Sequence, residues 1–410
     1  MLEFEKVVPQ VERMGRALAA QNVTLNERMD DAWEFFKSLS DLDAIHARIQ
    51  LARQRDAGFR GAAPLNEPIN RAYPLPATPA RATIIAADGS QIYPNTHVAA
   101  LYYLTNVGIF VYHHGSDALP EQVTEPRLFY TDQYLRDKQG QLINNTAVNA
   151  RRTVAELQML ARESWERRHI DYPLLALSDG PLLFWVGKDV PDGRQLENEY
   201  LGAMVHLHDT HAAMQRDLAQ MASLIGYVDR PTSAFVVSLI HLMRLEDDEV
   251  RRSMLDTNLE LEGVIDRPFM FKLLQPGERS ALFVQQSPQN KRYHDKGASY
   301  EIVFFYLNVG SAQDYHLARV EMPMWVARQP EMIDVAHALV YDQCQVMWRY
   351  PYALTRADEL AVVRAHERTQ LNELIEIELR RNEQRVEHSE KLESKAVRHG
   401  RKRYAHRFGR

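Results

Sequence analysis

The sequence predicts a mixed α/β fold, a mixed β-sheet with helices on its faces, an N-terminal helical extension and helical insertions. Three observations predict it. Two apolar runs, Thr83-Ile84-Ile85-Ala86-Ala87-Asp88-Gly89 and Leu174-Leu175-Ala176-Leu177-Ser178-Asp179-Gly180, each end in a carboxylate and a glycine. That is the pattern of a buried strand delivering an acid to a sheet edge. Segments with helical spacing alternate with such strands. The resulting order, β-β-β-α-β-α-β-α-β-β-α-α, fits a mixed sheet covered by helices.

The elements follow in chain order. Val7, Val11, Met14 and Leu18 recur at helical spacing, and Trp33-Glu34-Phe35-Phe36 with Ile45 marks a second helix, so residues 1–56 read as helical. Residues 59–80, rich in Gly, Ala and Pro, read as a connector. Strands are expected at 83–88, 96–104 and 107–115, with turns at Tyr93-Pro94-Asn95 and Asn106. A long helix follows at 145–168, then the strand ending in Asp179. A helix at 197–223, a strand at 224–229 and a helix at 233–257 come next. Tyr300–Leu307 and Leu317–Met322 are strongly patterned strands, and helices resume at 331–347 and 356–385. This places a helical extension and linker at 1–80, a main domain at 81–385 and a basic tail at 386–410.

Composition narrows the functional classes. Hydrophobic residues are 45% of the 410, enough for a sizeable core, yet no apolar run approaches a membrane span. The first residues lack a basic region followed by an apolar one, so no secretory signal is expected. Cys344 is the one cysteine; it excludes an intramolecular disulfide and a multi-cysteine zinc site, and fits a reducing cytoplasm. The net charge of −6 does not announce a nucleic-acid binder. The end of the chain is the exception: Lys395, Arg398, Arg401, Lys402, Arg403, Arg407 and Arg410, interrupted by Tyr404 and Phe408, could grip phosphates or simply keep a tail soluble.

The acids carry the chemical signal. Asp88 and Asp179, brought together by one sheet, could hold a divalent metal. The helix at 145–168 adds Glu156 and Glu163, between which periodicity does not choose. Downstream, Tyr350-Pro351-Tyr352-Ala353-Leu354-Thr355-Arg356-Ala357-Asp358 reads as a rigid turn entering a helix. Thr355 would cap that helix, with Asp358 in its first turn, or Asp358 would be a further metal ligand. Three or four carboxylates suit two divalent ions about 4 Å apart, the arrangement that hydrolyses phosphodiesters. Each acid also has an ordinary reading, since Asp-Gly is a common turn and a helix glutamate is usually solvated.

At this point a family resemblance enters. Ala87-Asp88-Gly89-Ser90-Gln91, Ser178-Asp179-Gly180-Pro181-Leu182, Arg319-Val320-Glu321-Met322-Pro323 and Tyr350-Pro351-Tyr352-Ala353-Leu354 occur in an order that resembles the NurA nucleases, over about residues 80–370. The resemblance implies a ribonuclease-H-like core and a manganese-dependent DNA nuclease, with 5′-to-3′ exonuclease and single-strand endonuclease activity. Magnesium is an alternative ion, and two ions are implied. It further implies a homodimer working with the hexameric DNA translocase HerA in end resection and repair. The family's aspartates fall on Asp88 and Asp179, its helix acid on Glu156 with Glu163 as fallback, and its tyrosine on Tyr350. The last position, usually histidine in the family, matches Asp358, an oxygen ligand that still suits manganese. Arg230 and Arg356 are candidate phosphate contacts or ordinary surface charges.

Other candidates weaken on inspection. His206 and His208 point apart on a helix; His208 and His211 share a face but lack a zinc-protease glutamate, so they read as surface or core histidines. His113-His114 reads as the start of a loop. No Gly-rich segment ends in Gly-Lys-Ser or Gly-Lys-Thr, so motion along DNA would need a separate ATPase. Two rival readings stay open. One is a catalytically inactive adaptor of the translocase, suggested by Asp358; the other is an RNA nuclease or phosphohydrolase using the same acids.

Overall fold

The structure, a computed structural model, describes residues 2–256, 260–347 and 349–384. The basic tail therefore lies outside the described residues. The helices are α1 (Phe4–Ser38), α2 (Leu42–Gln54), α3 (Asp132–Leu135), α4 (Asn145–Glu166), α5 (Gly193–Leu218), α6 (Phe235–Arg244), α7 (Arg252–Asp256), α8 (Asp266–Met270), α9 (Pro288–Lys296), α10 (Met324–Ala327), α11 (Pro330–Val346), α12 (Tyr352–Ala361) and α13 (Ala365–Arg381). The strands are β1 (Ala62–Pro64), β2 (Ala82–Ile92), β3 (Tyr103–His114), β4 (Glu121–Phe129), β5 (Leu174–Asp179), β6 (Ala222–Asp229), β7 (Phe283–Gln285), β8 (Ile302–Asn308) and β9 (Leu317–Pro323). No helix among the described residues is long and apolar enough to cross a membrane.

The chain divides into two compact units. The first comprises the N-terminal segment to Ala82, Ile170–Leu183 and His211–Tyr352; the second comprises Thr83–His169, Phe184–Thr210 and the segment from Ala353 on. In the first, the strand order is β1-β7-β8-β9-β6-β5, with β5 and β6 parallel and the other neighbours antiparallel. Strands β8 and β9 are buried along their whole length, as strands covered on both faces must be. Helix α1 docks here through its C-terminal half, where the Phe36 and Phe269 rings meet edge to face with centroids 5.0 Å apart.

In the second unit the order is β2-β3-β4, with β3 and β4 antiparallel and α4 packed on β3. Asn144 caps α4, its side-chain oxygen accepting the Ala147 N–H at 2.9 Å. Helix α12 lies flat on β3 because residue 108 is glycine. A Cβ there would sit 2.6 Å from Ala357 O and 2.8 Å from Ala361 N, both backbone atoms. The succession β2-β3-β4-α4-β5-α5-β6 gives the mixed, ribonuclease-H-like α/β architecture expected.

Several expectations need correction. Asp88 is not at a strand end: β2 continues to Ile92, although its burial fades at Gly89. Asn106 is no turn. It lies inside β3, its Nδ2 donating to Ala361 O of α12 at 2.8 Å, which satisfies a polar group in a central strand. The expected strand at 96–104 is mostly loop, and the polar, largely exposed β4 takes the third place. His113 and His114 end β3 and do not begin a loop. The expected helix at 356–385 is two helices, broken between Ala361 and Ala365. The linker holds β1, and the short β7 and α9 were not anticipated.

One buried acid ties the first unit together. Asp266, fully buried, accepts the N–H groups of Phe235, Val236 and Val237 at 2.7, 3.0 and 2.9 Å, so it caps α6. It also accepts the Tyr306 hydroxyl at 2.5 Å. Burial pushes its carboxyl from 3.8 up to about 6, against the opposing pull of those hydrogen bonds. A folded-state value above the unfolded one means that this group's contribution is fully present below pH 3.8 and is lost as pH rises through about 6. Asp266→Asn should remove about 3 kcal/mol of pH dependence in that window. Urea unfolding of both proteins across the window measures it; parallel stability curves would show that Asp266 does not titrate there.

Candidate active site

Within the second unit, two of the expected acids meet. Asp88 Oδ1 accepts the Gly89 N–H at 2.7 Å, which fixes the carboxylate against its own strand. Glu156, 8% exposed, reaches β2 from α4. The absence of a side chain at Gly89 makes room for it: a Cβ there would lie 2.3 Å from Glu156 Oε1 and 2.9 Å from Arg152 Cγ. Arg152, one turn earlier on α4, holds Glu156 Oε1 at 2.9 Å through Nε and donates to Gln91 Oε1 at 2.9 Å through Nη1. Gln91 in turn donates to Tyr93, which donates to Asn149 on α4. The stretch 88–93 is thus laced to α4 by side chains that neutralise and aim Glu156. Gly89→Ala should displace the Glu156 carboxylate and lower any cleavage activity roughly tenfold or more, with little change in melting temperature. Wild-type rates in that variant would show that the position of Glu156 is immaterial.

Glu163 has a different setting. It lies about 10 Å further along α4. Arg167 Nη1 holds its Oε2 at 2.9 Å and Arg162 Nη2 its Oε1 at 3.2 Å. The same two arginines hold Glu121 and Glu125 of β4. The hydrogen bond from Arg167 takes the Glu121 carboxyl below its ordinary value; at Glu125, burial opposes that shift but is outweighed by Arg162 and Arg127. This is an ion-pair lattice fastening α4 to β4. The helix alternatives left open by periodicity therefore differ in surroundings: Glu156 stands beside Asp88's strand, Glu163 among arginines.

Asp358 is exposed on the second turn of α12. That helix starts at Tyr352, so Thr355 is inside it and is not its cap, contrary to expectation. Arg356 pairs with Glu359, and its guanidinium lies 5.8 Å from the Phe110 ring centroid. The same face of α12 is anchored to β2 by the Ser90 hydroxyl, which donates to Ala361 O.

In the first unit, Asp179 ends β5, and the Tyr350 hydroxyl donates to its Oδ1 at 2.7 Å. Two residues 171 positions apart are so brought together. Tyr350 stands edge-on to the buried Tyr227, centroids 5.4 Å apart, and the Tyr227 hydroxyl donates to Arg349 O at 3.0 Å. Gly180, at φ +86°, turns the chain after Asp179 while its N–H donates to Tyr227 O at 2.8 Å. Past that turn, the Leu182 N–H donates to the fully buried Glu321 at 2.8 Å. Arg319 pairs with Glu321 at 2.7 Å.

At the end of the parallel neighbour β6, Asp229 is held by His316 at 2.5 Å. Burial would raise its carboxyl, but the His316 hydrogen bond outweighs it and the net shift is downward. Arg230 follows, exposed and at φ +43°. His211 is a core residue near Trp325, taking the Ala222 N–H at 3.4 Å; His206 lies beside Trp165. Among the described residues, no group of three or more His, Cys, Asp or Glu gathers to hold a metal ion. The donors that do occur at these strands are carboxylate and phenol oxygens, the chemistry that suits manganese or magnesium.

Arg152, Gly89, Gln91, Asp229 and Glu321 were not singled out by sequence reasoning. The i,i+4 spacing of Arg152 and Glu156 was the available signal for the first. Nothing in the spacing marks Glu321 as the partner of a backbone N–H 139 residues away.

Comparison with known proteins adds a family. The NurA domain model matches residues 82–363. A search of curated proteins finds no match. Among solved structures, the chain is similar to the NurA nuclease from Sulfolobus solfataricus, at 12% identity and TM-score 0.45, covering 83% of this chain and 94% of that one. It is also similar to a NurA solved with manganese, at 9% identity and TM-score 0.36, covering 74% and 91%. Human ENDOV follows, at 12% identity and TM-score 0.32, covering 79% and 99%. At these scores the family assignment rests on the domain match alone.

Proposed function

The chain belongs to the NurA family, and from that membership we propose that it is a metal-dependent nuclease that hydrolyses phosphodiester bonds in DNA. The observation that carries the reading is the seat at Gly89, where the Glu156 carboxylate, aimed by Arg152, lies against the strand bearing Asp88. We assign the metal ligands to Asp88, Glu156, Asp179 and Asp358, enough oxygens for two manganese or magnesium ions. Bound there, a divalent ion would act as a Lewis acid on the scissile phosphodiester. The chain's own groups do the rest. Arg152 keeps Glu156 ionised and oriented. Tyr350 holds the Asp179 carboxylate in one rotamer and orients the phosphate. Arg356 and Arg230 offer charge to phosphate oxygens.

The same reading makes the protein a homodimer acting in DNA end resection in the cytoplasm. It would cut from 5′ ends and within single strands, with a hexameric HerA-type ATPase supplying movement. The absence of a Gly-Lys-Ser or Gly-Lys-Thr loop from the sequence supports a separate motor. A second reading, an inactive adaptor of that ATPase, is favoured by one observation: no three acids gather among the described residues. Cleavage of end-labelled single- and double-stranded DNA, with RNA in parallel and manganese, magnesium or EDTA present, separates the two. Metal-dependent cutting of DNA is expected. Binding to the ATPase without cutting under any metal would establish the adaptor.

A further inference from the structure

A cleft of about 610 Å3 lies within the first unit, away from Asp179 and Tyr350 in the chain. Its walls come from the end of α2, the turn 56–60, the start of α7 and the β7–α9 segment. Four permanent cations line it, Arg53, Arg60, Arg252 and Lys291, against the two acids Asp56 and Glu301. That reverses the sign of a chain whose net charge is −6. Arg252 stands 3.7 Å from Asp56, and Arg53 donates to Gln286 at 2.5 Å. Arg60 and Lys291 are exposed, and among the described residues neither side chain has an ion-pair or hydrogen-bond partner. Two unneutralised cations in one cleft cost Coulomb repulsion, which a bound anion would relieve.

The cleft also holds an aromatic. Phe59, half-buried, folds against Gly61 so closely that a Cβ there would sit 2.6 Å from its ring. The ring is therefore kept in place beside the cations. A cationic groove with a fixed aromatic face is the combination that holds single-stranded nucleic acid: charges follow the backbone and a base stacks on the ring. A free phosphate would need the charges but not the ring.

We propose that this cleft is an accessory strand-binding site, which takes the phosphate backbone of single-stranded DNA on Arg53, Arg60, Arg252 and Lys291 and stacks a base on Phe59. Its choice of DNA rests on the nuclease reading above; its binding does not require cleavage. The test uses the full chain in EDTA, with fluorescence anisotropy of labelled oligothymidylate over a salt series. The double variant Arg60→Gln, Lys291→Gln should bind roughly tenfold or more weakly at low salt and reduce the log–log salt slope by about 1.4, about 0.7 per cation. Phe59→Leu should weaken binding roughly tenfold with the slope unchanged. Arg13→Gln, on the exposed face of α1, should change neither.

An unchanged slope in the double variant, or an equal loss in the α1 variant, would overturn the proposal. So would equal competition by polyglutamate and oligothymidylate, which would assign the cleft to an acidic protein. Inorganic phosphate should compete only weakly; full competition by it would reduce the site to a free-phosphate pocket. Hydrolysis of bis(p-nitrophenyl) phosphate with manganese, measured alongside, separates the two readings. If the unaltered chain hydrolyses neither this ester nor DNA while the binding results hold, the nuclease reading fails and the cleft stands.

Discussion

Asp88→Ala is expected to lower manganese-dependent DNA cleavage by about 10³-fold or more, the loss of about 4 kcal/mol of transition-state stabilisation. The size follows from its assigned role. A carboxylate that fixes a divalent ion cannot be replaced by a methyl group, and the ion supplies most of the charge stabilisation at phosphorus. The fold should tolerate the change. The visible loss is one hydrogen bond, Asp88 Oδ1 to the Gly89 N–H, about 1 kcal/mol. Asp88→Asn sharpens the test, because its amide oxygen can still accept that N–H while the negative charge is gone. Both variants should show single-turnover rates near background and melting temperatures within about 4 °C of wild type. Cutting by Asp88→Ala within a factor of about two of wild type would remove Asp88 from the chemistry.

The fold was legible where burial and period agree. Thr83–Ala87 and Leu174–Leu177 are buried, β-branched or leucine-rich, and they are strands. The long α4 was legible because its apolar positions recur along one stripe. What stayed hidden was set by partners distant in sequence. Strand β4, with Glu121, Glu125 and Arg127, has the polarity of a loop; it is a strand because β3 offers it a ladder and α4 offers Arg162 and Arg167 to its acids. Asn106 looks like a turn until α12 supplies a carbonyl for its amide. The site followed the same rule. Asp88 and Asp179 stand out as acids at the end of apolar runs. The preference for Glu156 over Glu163 comes from Gly89 and Arg152, a packing relation that no periodicity contains. Tyr350 could be placed near an acid by family likeness, but its bond to Asp179 is a tertiary fact.

The largest stability effect should come from Glu321→Ala. Glu321 is fully buried, with Arg319 at 2.7 Å on one oxygen and the Leu182 N–H at 2.8 Å on the other. Arg319 is itself held by the Ser233 hydroxyl at 2.9 Å and stacked over Phe235 at 5.2 Å. Ser233 bonds Tyr306, and Tyr306 donates to Asp266. Removing the carboxylate leaves a buried guanidinium without its anion, which costs roughly 3–5 kcal/mol. It also leaves the Leu182 N–H without its acceptor, three residues past Asp179. Chemical denaturation should record that loss, and cleavage should fall as the turn carrying Asp179 loosens. The double variant Arg319→Met, Glu321→Leu separates the two consequences. Apolar replacement of a buried pair commonly restores stability, yet neither new side chain can accept the Leu182 N–H. Stability should therefore return while activity stays low. Recovery of both together would mean that the pair serves the core alone; a Glu321→Ala protein as stable as wild type would mean that the buried charge was never costly to strand.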